Sequence, residues 1–339
     1  MKITRMGIDL AKSVFQLHGV DEKETVVVRR QLKRSQMLTY FHRQLPMMIG
    51  MEACGSAHYW ARTLTSMGHI VKLMAPQHVK PYVKSNKNDR NDAEAICEAM
   101  SRPTMRFVPL KTVEQQDMQA IHRVRERLIR SRNMLTNEVR GLLAEYGIII
   151  GKLGVAAVRN AIPHLLEDAE NGLSAKLREM LHDMSDELTA LERRIKSYDA
   201  KIQQHANEDG RVRRLMQIDG VGPITASAIV TAVGDAKQFR NGREMAAWLG
   251  MVPKQHSSGG KEKLGGISKR GDKRLRTLVI HGARSVIKMS EQKTDRRSAW
   301  VNALVARRNK NIATVALGNK NVRIMHAMLT REEDYQRAA

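Results

Sequence analysis

The chain has 339 residues, a hydrophobic fraction of 42% and a formal net charge of +23. This length suffices for two or three domains with cores, and the apolar fraction excludes a wholly disordered chain. A positive charge of this size indicates a polyanionic partner, most often nucleic acid, with a merely basic surface as the alternative. The two cysteines, Cys54 and Cys97, have no CxxC partners, so no disulfide framework or zinc knuckle is predicted.

The N-terminus lacks the apolar region of a signal peptide, and no segment approaches the length of a membrane-spanning helix. We therefore expect a cytoplasmic protein of bacterial type, associated with the nucleoid when it acts, and no membrane partner. Aromatic residues make up 4% of the chain, which argues against base stacking as the main binding mode.

Hydrophobic patterning in the first hundred residues predicts a mixed sheet flanked by helices. In chain order it predicts strands around 7–8, 14–17 and 26–28, a helix over 35–45, a buried strand over 47–54, a helix from 56, a strand over 69–76 and a helix over 88–102. Three hairpin-connected strands followed by alternating helices and strands are the ribonuclease-H-like arrangement. The predicted fold class of this part is therefore α/β.

The remainder of the chain is predicted to be helical. Apolar residues recur at helical spacing over 112–150, and unbroken heptads run from Leu177 to Ile202. These two segments predict an antiparallel coiled-coil hairpin, which either packs on itself or dimerises. From residue 212 a GVGP turn and several basic helices predict a compact helical domain, in which the turn either grips phosphate or simply connects two helices.

Four acidic residues occupy positions where a metal site is expected. Asp9 ends the first strand, Glu52 lies near the end of the later buried strand, and Asp89 and Asp92 share one helix face. Any one of them alone is commonly structural, as a turn or helix-terminal acid. Because the first and fourth strands of such a sheet are neighbours, the four carboxylates should converge. Clustered carboxylates suit Mg²⁺ or Mn²⁺.

A second candidate site is the segment QHSSGGKEKLGGISKRGDKRLR, residues 255–276, which is predicted to be a flexible loop because of its glycines. A serine hydroxyl there, Ser257 or Ser258, could attack a phosphodiester. The residues alone favour the plainer interpretation, a loop that grips phosphate. The basic side chains expected to contact nucleic acid are Lys254, Lys261, Lys263, Lys269, Arg270, Lys273 and Arg274.

Six segments, in this order along the chain, carry a resemblance to a known family: GIDLAKSVFQLHGVD, GMEACGSAHYWAR, KSNKNDRNDAEAI, IDGVGPITASAIV, WLGMVPKQHSSGGKEKLGGISKRGDKRLR and VRIMHAML. Together they resemble the DEDD transposases of the IS110 family of insertion sequences, with the strongest similarity to its IS1111 subgroup. The resemblance covers nearly the whole chain, and the ordered set of motifs is highly specific.

The resemblance implies three domains. These are a RuvC-like DEDD nuclease domain over residues 1–105, a coiled-coil dimerisation region over 106–209, and a helical transposase domain with a catalytic-serine loop over 210–339. It also implies that Asp9, Glu52, Asp89 and Asp92 form the acidic set. The nucleophilic serine then maps to Ser258, directly before the paired glycines, with Ser257 as the alternative.

The resemblance further implies an RNA-guided DNA recombinase. Its partners would be donor and target DNA, a structured noncoding guide RNA (the bridge RNA) and further copies of the chain, as a dimer or tetramer. The serine would form a covalent phosphoserine–DNA linkage beside the Mg²⁺ or Mn²⁺ site, with acids and serine supplied by different protomers. Two alternatives remain open: a RuvC-like nuclease that uses water as nucleophile, and a basic nucleic-acid-binding protein without enzymatic activity.

Overall fold

The computed structural model describes residues 2–84 and 88–336. The chain forms two compact units, Met1–Thr112 and Val113–Ala339. The first boundary predicted from the sequence, after residue 105, falls close to this division. The second, after residue 209, lies inside the larger unit, where the long helices and the later helices share contacts. Among the helices of the described residues, none combines the length and apolar character that crossing a bilayer requires.

A six-stranded mixed sheet forms the centre of the first unit. Its strands are β1 (Arg5–Leu10), β2 (Val14–Val20), β3 (Val26–Lys33), β4 (Met48–Glu52), β5 (Ile70–Met74) and β6 (Phe107–Val108). The order across the sheet is β3-β2-β1-β4-β5-β6, in which β1, β4 and β5 are parallel and β2, β3 and β6 are antiparallel to their neighbours. The predicted first five strands and the pairing of the first with the fourth are confirmed. Strand β6 was not predicted.

Helices cover both faces of this sheet. They are α1 (Met37–His42), α2 (Ala57–Ser66), α3 (Pro76–Val79) and α4 (Asp89–Met100). The main core lies on the side of α1 and α2, where Ile8, Phe15 and Leu17 pack with Trp60 and other buried residues. Helix α4 packs on the opposite face. Asp9 belongs to that opposite face, since side chains alternate along β1.

Two long helices dominate the start of the second unit, α5 (Val113–Ala144) and α7 (Ala175–Glu208), with the shorter α6 (Val155–Glu167) between them. Leu128 and Leu135 of α5 pack against Leu188 and Leu191 of α7, whereas farther along α5 Leu143 is buried with the start of α7. The two helices are therefore antiparallel. The predicted heptad positions of α7 are largely buried, as a helical hairpin requires.

In the described part of the second unit, six further helices follow. They are α8 (Gly210–Met216), α9 (Pro223–Val233), α10 (Gly242–Trp248), α11 (Lys273–Ser290), α12 (Arg296–Arg307) and α13 (Lys310–Arg331). The GVGP turn joins α8 and α9 and packs tightly on α11. A Cβ on Gly220 would lie 2.5 Å from the carbonyl oxygen of Gly282. At Gly220 the turn therefore serves helix packing.

The serine-rich segment forms a β-hairpin, so the prediction of a loop without regular elements is wrong. Strands β7 (Pro253–Gln255) and β8 (Leu264–Ile267) pair antiparallel, and Ser258 bridges Lys261 at the tip. Gly259 and Gly260 occupy the two turn positions with φ of +54° and +75°. Positive φ at both positions is what a two-residue type I′ turn needs, and a Gly-Gly pair supplies it without strain.

Candidate active site and nucleic-acid contacts

Three of the predicted acids come together on the α4 face of the sheet. Asp9 lies in β1, and Asp89 and Asp92 lie in the first turn of α4. Each offers a carboxylate oxygen, and these atoms all lie within 4.8 Å of one another. Asn88 begins the helix, because its side chain accepts a hydrogen bond of 2.8 Å from the amide of Asn91. This cap fixes the turn that carries both aspartates.

The acids meet because β1 and α4 approach unusually closely. A Cβ on Gly7 would lie 2.2 Å from the carbonyl oxygen of Ala93 and 2.6 Å from the amide nitrogen of Cys97. Gly50, the partner of Gly7 on β4, is similarly covered by Met100 and Ile96. The two glycines leave a flat area on the sheet, and α4 rests on it.

Glu52 occupies a neighbouring position but is not a member of this group of three. It ends β4 directly after Met51, which pairs with Ile8, so Glu52 and Asp9 lie side by side near the carboxyl ends of two adjacent parallel strands. Burial raises the pKa of the Cys54 thiol, and the negative charges of Glu52 and Asp9 raise it further. Both acids therefore act on the same thiol electrostatically. A metal-ligand role for Glu52 stays a prediction.

The donor set fits a hard divalent cation. All three groups are carboxylates, Asp89 is exposed, and Asp9 and Asp92 are partly exposed, so solvent and substrate oxygens can complete a coordination shell. Like charges this close cost free energy unless a cation offsets them. The geometry therefore favours oxygen-preferring ions over soft metals.

The hairpin separates the two candidate serines onto opposite faces. Directly paired residues of antiparallel strands share a face, so Ser258 lies on the same face as Lys261. His256, two residues before Ser258, shares this face. Lys263 lies opposite His256, and the backbone amide of His256 donates a hydrogen bond to the carbonyl of Lys263. Ser257 lies on the other face, where its hydroxyl accepts a hydrogen bond of 3.0 Å from Gln255.

The hairpin is exposed along both strands but firmly held at its base. Residues 253–266 are all exposed. At the base, a Cβ on Gly250 would lie 2.0 Å from the carbonyl oxygen of Arg270, and one on Gly271 would lie 1.9 Å from that of Trp248. Arg276, only 8% exposed, donates to the carbonyls of Leu249 and Arg270 at 2.9 and 3.2 Å. Arg276 thus has a structural role that its basic surroundings in the sequence concealed.

Six of the seven basic residues predicted to contact nucleic acid are exposed. These are Lys254, Lys261, Lys263, Lys269, Arg270 and Lys273. Arg274 differs, because its guanidinium lies 3.3 Å from the carboxylate of Glu126 on α5 and its side chain is 21% exposed. Burial lowers its pKa, and the charge of Glu126 opposes that shift. The structure places Arg274 in a contact within the protein, and its contact with phosphate stays a prediction.

A polar cluster in the second unit was not predicted. The Ser227 hydroxyl lies 2.9 Å from His122 Nε2 and 2.9 Å from His205 Nδ1, which joins α9 to α5 and α7. Burial, aided by the charge of Arg274, lowers the pKa of His122 to about 3. Burial also lowers the pKa of His205. Since the three residues are far apart in sequence, no local pattern could have revealed the cluster.

Comparison with known proteins places this geometry in context. The model of the transposase IS116/IS110/IS902 family matches residues 212–299, and a DEDD transposase model of the IS110 type matches residues 6–148. A probable family 20 transposase of Pseudomonas aeruginosa is 54% identical over 99% of both chains. The transposase for insertion sequence element IS1111A of Coxiella burnetii is 47% identical over 98% of this chain and 91% of its own. The transposase for element IS1328 of Yersinia enterocolitica is 39% identical over 97% of both.

The first strand of the mixed sheet and the helix that flanks it bring carboxylates together. The relatives match this chain over nearly its whole length. The protein is therefore a transposase, an enzyme of DNA strand transfer. The chain belongs to the IS110 family, and the relative from Coxiella burnetii places it beside the IS1111 elements. The resemblance stated from the sequence motifs is thereby confirmed.

Proposed function

We propose that this transposase is an RNA-guided recombinase in which Ser258 forms a covalent bond to DNA beside a divalent metal site. The observation that carries the proposal is the position of Ser258 at the tip of an exposed hairpin, on a face with His256, Lys261 and Lys263. Positive side chains around a hydroxyl favour the approach of a phosphodiester and stabilise the charge that develops on its oxygens.

Asp9, Asp89 and Asp92 would hold the ion, with Glu52 at the adjacent strand end, and Mg²⁺ is the ion we favour over Mn²⁺. When bound, such an ion polarises phosphoryl oxygens. The carboxylates orient it, and the turn capped by Asn88 keeps two of them in place. The resemblance of the motifs supports pairing of these acids with the serine of another protomer.

In the proposed step, a bond forms between Ser258 Oγ and the phosphorus of the DNA backbone while the bond from phosphorus to a sugar oxygen breaks. The serine proton passes to the imidazole of His256, which shares the face, and the departing sugar oxygen takes a proton from water. Attack on the phosphoserine by a sugar hydroxyl of the other DNA reverses the step and reseals the strand. The phosphodiester energy is conserved, so no nucleotide cofactor is needed.

A denaturation-resistant adduct tests this proposal. DNA carrying the ends of the element and a nick near the cleavage point should trap wild-type protein on a denaturing gel. Ser258→Ala should abolish the adduct, whereas Ser257→Ala, which removes a hydroxyl from the other face, should retain it. Loss of the adduct only in Ser257→Ala, or cleaved DNA without any adduct, would favour the other serine or water as nucleophile.

The role of His256 is tested by chemical rescue. His256→Ala should slow adduct formation by about 10²- to 10⁴-fold, as expected for the loss of a general base. Added imidazole should restore part of the rate. Gln255→Ala is the matched control, because Gln255 is equally exposed but lies on the face of Ser257. Equal rates in all three proteins would exclude His256 as the proton acceptor.

Guidance by RNA is supported by the net charge of +23, which exceeds what the hairpin alone contributes. Sequencing the RNA that copurifies with the protein should yield one discrete structured species encoded at the end of the element. That RNA should contain segments complementary to donor and target DNA. A heterogeneous mixture of cellular fragments would contradict this part of the proposal.

Exposed apolar side chains at the end of the α5–α7 hairpin, which is the predicted coiled-coil region, support assembly into a homo-oligomer. Ile149 and Leu153 lie in the connection between α5 and α6 and are 74% and 94% exposed. Apolar side chains this exposed favour burial against another protein surface. Sedimentation should give a dimer or tetramer, and the double variant Ile149→Ser and Leu153→Ser should shift it towards monomer.

A further inference from the structure

A polar cleft opens beside the acidic group in the first unit. Its volume is about 600 Å³, within the range of small-ligand sites. It is lined by Gln16, Arg29 and Gln31 of the sheet and by residues 88–91 at the start of α4. The cleft and the acidic group share Asp89. A ligand in the cleft therefore reaches the acids.

Strand register makes the cleft and the acids one continuous surface. Asp9 pairs with Gln16 across β1 and β2, and Gln16 pairs with Gln31 across β2 and β3. Paired residues share a face, so the three side chains form a row across the sheet. Arg29 lies two residues before Gln31 and belongs to the same face. The row runs from the acidic group away from Glu52.

The chemistry of the lining suits a sugar–phosphate backbone. Among the described residues that line the cleft, every side chain is polar or charged and none is aromatic or aliphatic, so these residues provide no aromatic platform for base stacking. Arg29 and Arg90 supply positive charge, and the amides of Gln16 and Gln31 can donate to phosphate or sugar oxygens. The carboxylate of Glu94 lies 3.6 Å from Arg29 and also 3.3 Å from Lys84. Because Glu94 is shared between two cations, it orients the guanidinium of Arg29 but does not cancel the positive charge of the pair.

We infer that this cleft is a backbone subsite for the DNA strand that is cut, holding the sugar–phosphate next to the scissile phosphate. The inference rests on the proposed function, since it takes the acidic group as the place of cleavage. Arg29 and Arg90 bind phosphate oxygens, and Gln16 and Gln31 bind the adjoining oxygens of the same backbone. Recognition through phosphate and sugar oxygens is independent of base sequence.

Two adjacent arginines give a matched test. Arg29 lines the cleft, whereas Arg30 pairs with the core residue Leu17 and lies over the ring of Tyr40 on the opposite face of the sheet. Arg29→Ala in the full-length protein should weaken binding of two labelled single-stranded DNA oligonucleotides of unrelated sequence, each by about three- to tenfold. The slope of log Kd against log salt concentration should be smaller than that of the wild-type protein by about 0.7 to 1. Arg30→Ala should change neither.

A second variant guards against misfolding. Gln31→Glu keeps the size of the side chain and places a negative charge in the cleft, so it should weaken the same DNA binding at unchanged melting temperature. Equal losses in Arg29→Ala and Arg30→Ala would show an effect of net charge only and overturn the inference. An effect confined to an RNA oligonucleotide of the same sequence would overturn the assignment to the cleaved strand.

The failure of this inference can be told apart from that of the proposed function. If wild-type protein forms the Ser258 adduct but Arg29→Ala and Gln31→Glu bind DNA normally, the subsite is wrong and the function stands. If no adduct forms but both variants lose DNA affinity as expected, the cleft binds backbone and the serine mechanism fails.

Discussion

The acidic group and the serine hairpin are built in opposite ways. The three acids lie on a strand and a helix that close packing at Gly7 holds together, so their geometry exists before any partner binds. Ser258 lies on a two-stranded hairpin that is exposed on both faces, and such a hairpin is marginally stable by itself. Only its base, with Gly250, Gly271 and Arg276, is held by the rest of the unit.

The difference indicates that the two regions have different structural requirements. A metal site needs carboxylates fixed to within fractions of an ångström, which regular elements provide. A nucleophile that must reach a DNA strand can lie on an exposed hairpin, because binding of the DNA then determines the final position of the hairpin. Substitutions in the packing around the acids should therefore impair the acidic group. Substitutions at the tip of the hairpin should be tolerated, whereas substitutions at its base should not.

The largest expected effect comes from removing a single carboxylate. Asp9→Asn should lower strand cleavage by about a thousandfold, because an ion at such a site contributes several kcal/mol. DNA binding by fluorescence anisotropy should be retained. Glu22→Gln, in the exposed turn between β2 and β3, is the control and should cleave normally. Normal cleavage by Asp9→Asn would remove the acidic group from the mechanism.

The next effect contrasts the base of the hairpin with its tip. Gly271 has φ of +85°, and an added Cβ would collide with the carbonyl of Trp248, so Gly271→Ala should destabilise the protein by about 2–5 kcal/mol. Gly260 has φ of +75° but open space around it, so Gly260→Ala should cost only about 1–2 kcal/mol locally. Thermal and urea unfolding measure both. Similar losses would show that the tip is packed as the base is.

Packing beneath the acids gives a third effect. Gly7→Ala should destabilise the protein by about 1–3 kcal/mol and also impair cleavage, because α4 must move away from β1 and carry Asp89 and Asp92 with it. Gly141→Ala, in an open position of α5, should instead be neutral or stabilise by up to about 1 kcal/mol. Full cleavage by a destabilised Gly7→Ala protein would show that close packing of α4 on β1 is not needed for the acidic group to function.

The effect that is smallest near neutral pH, and that grows as the pH falls, concerns the unit that carries the hairpin. His122 has a folded pKa of about 3, below the unfolded value near 6.5, so its contribution is complete above pH 6.5 and is lost as pH falls. Below pH 6.5 the free energy of unfolding should drop by about 1.4 kcal/mol per pH unit from this residue. His122→Gln should flatten that slope in urea titrations. The exposed His182→Gln should leave it unchanged.

Much of the first unit could be predicted because its residues carry local patterns. Alternation and apolar runs located five strands, and their order brought Asp9 near the helix of Asp89 and Asp92. The hairpin was missed because Lys and Gly give no apolar alternation, although Gly-Gly between short extended segments is itself a turn signal. The contacts of Arg274 and Arg276 within the protein could not be predicted, since their partners Glu126 and Leu249 are distant in sequence.

Mass spectrometry of the trapped complex can show directly whether Ser258 bonds to DNA. After nuclease digestion, trypsin cleavage beyond Lys254 and Lys261 releases the heptapeptide QHSSGGK with both serines. We expect a nucleotide mass on this peptide, with fragment ions that place it on Ser258. An unmodified peptide from fully reacted complexes, or a nucleotide on Ser257, would contradict it.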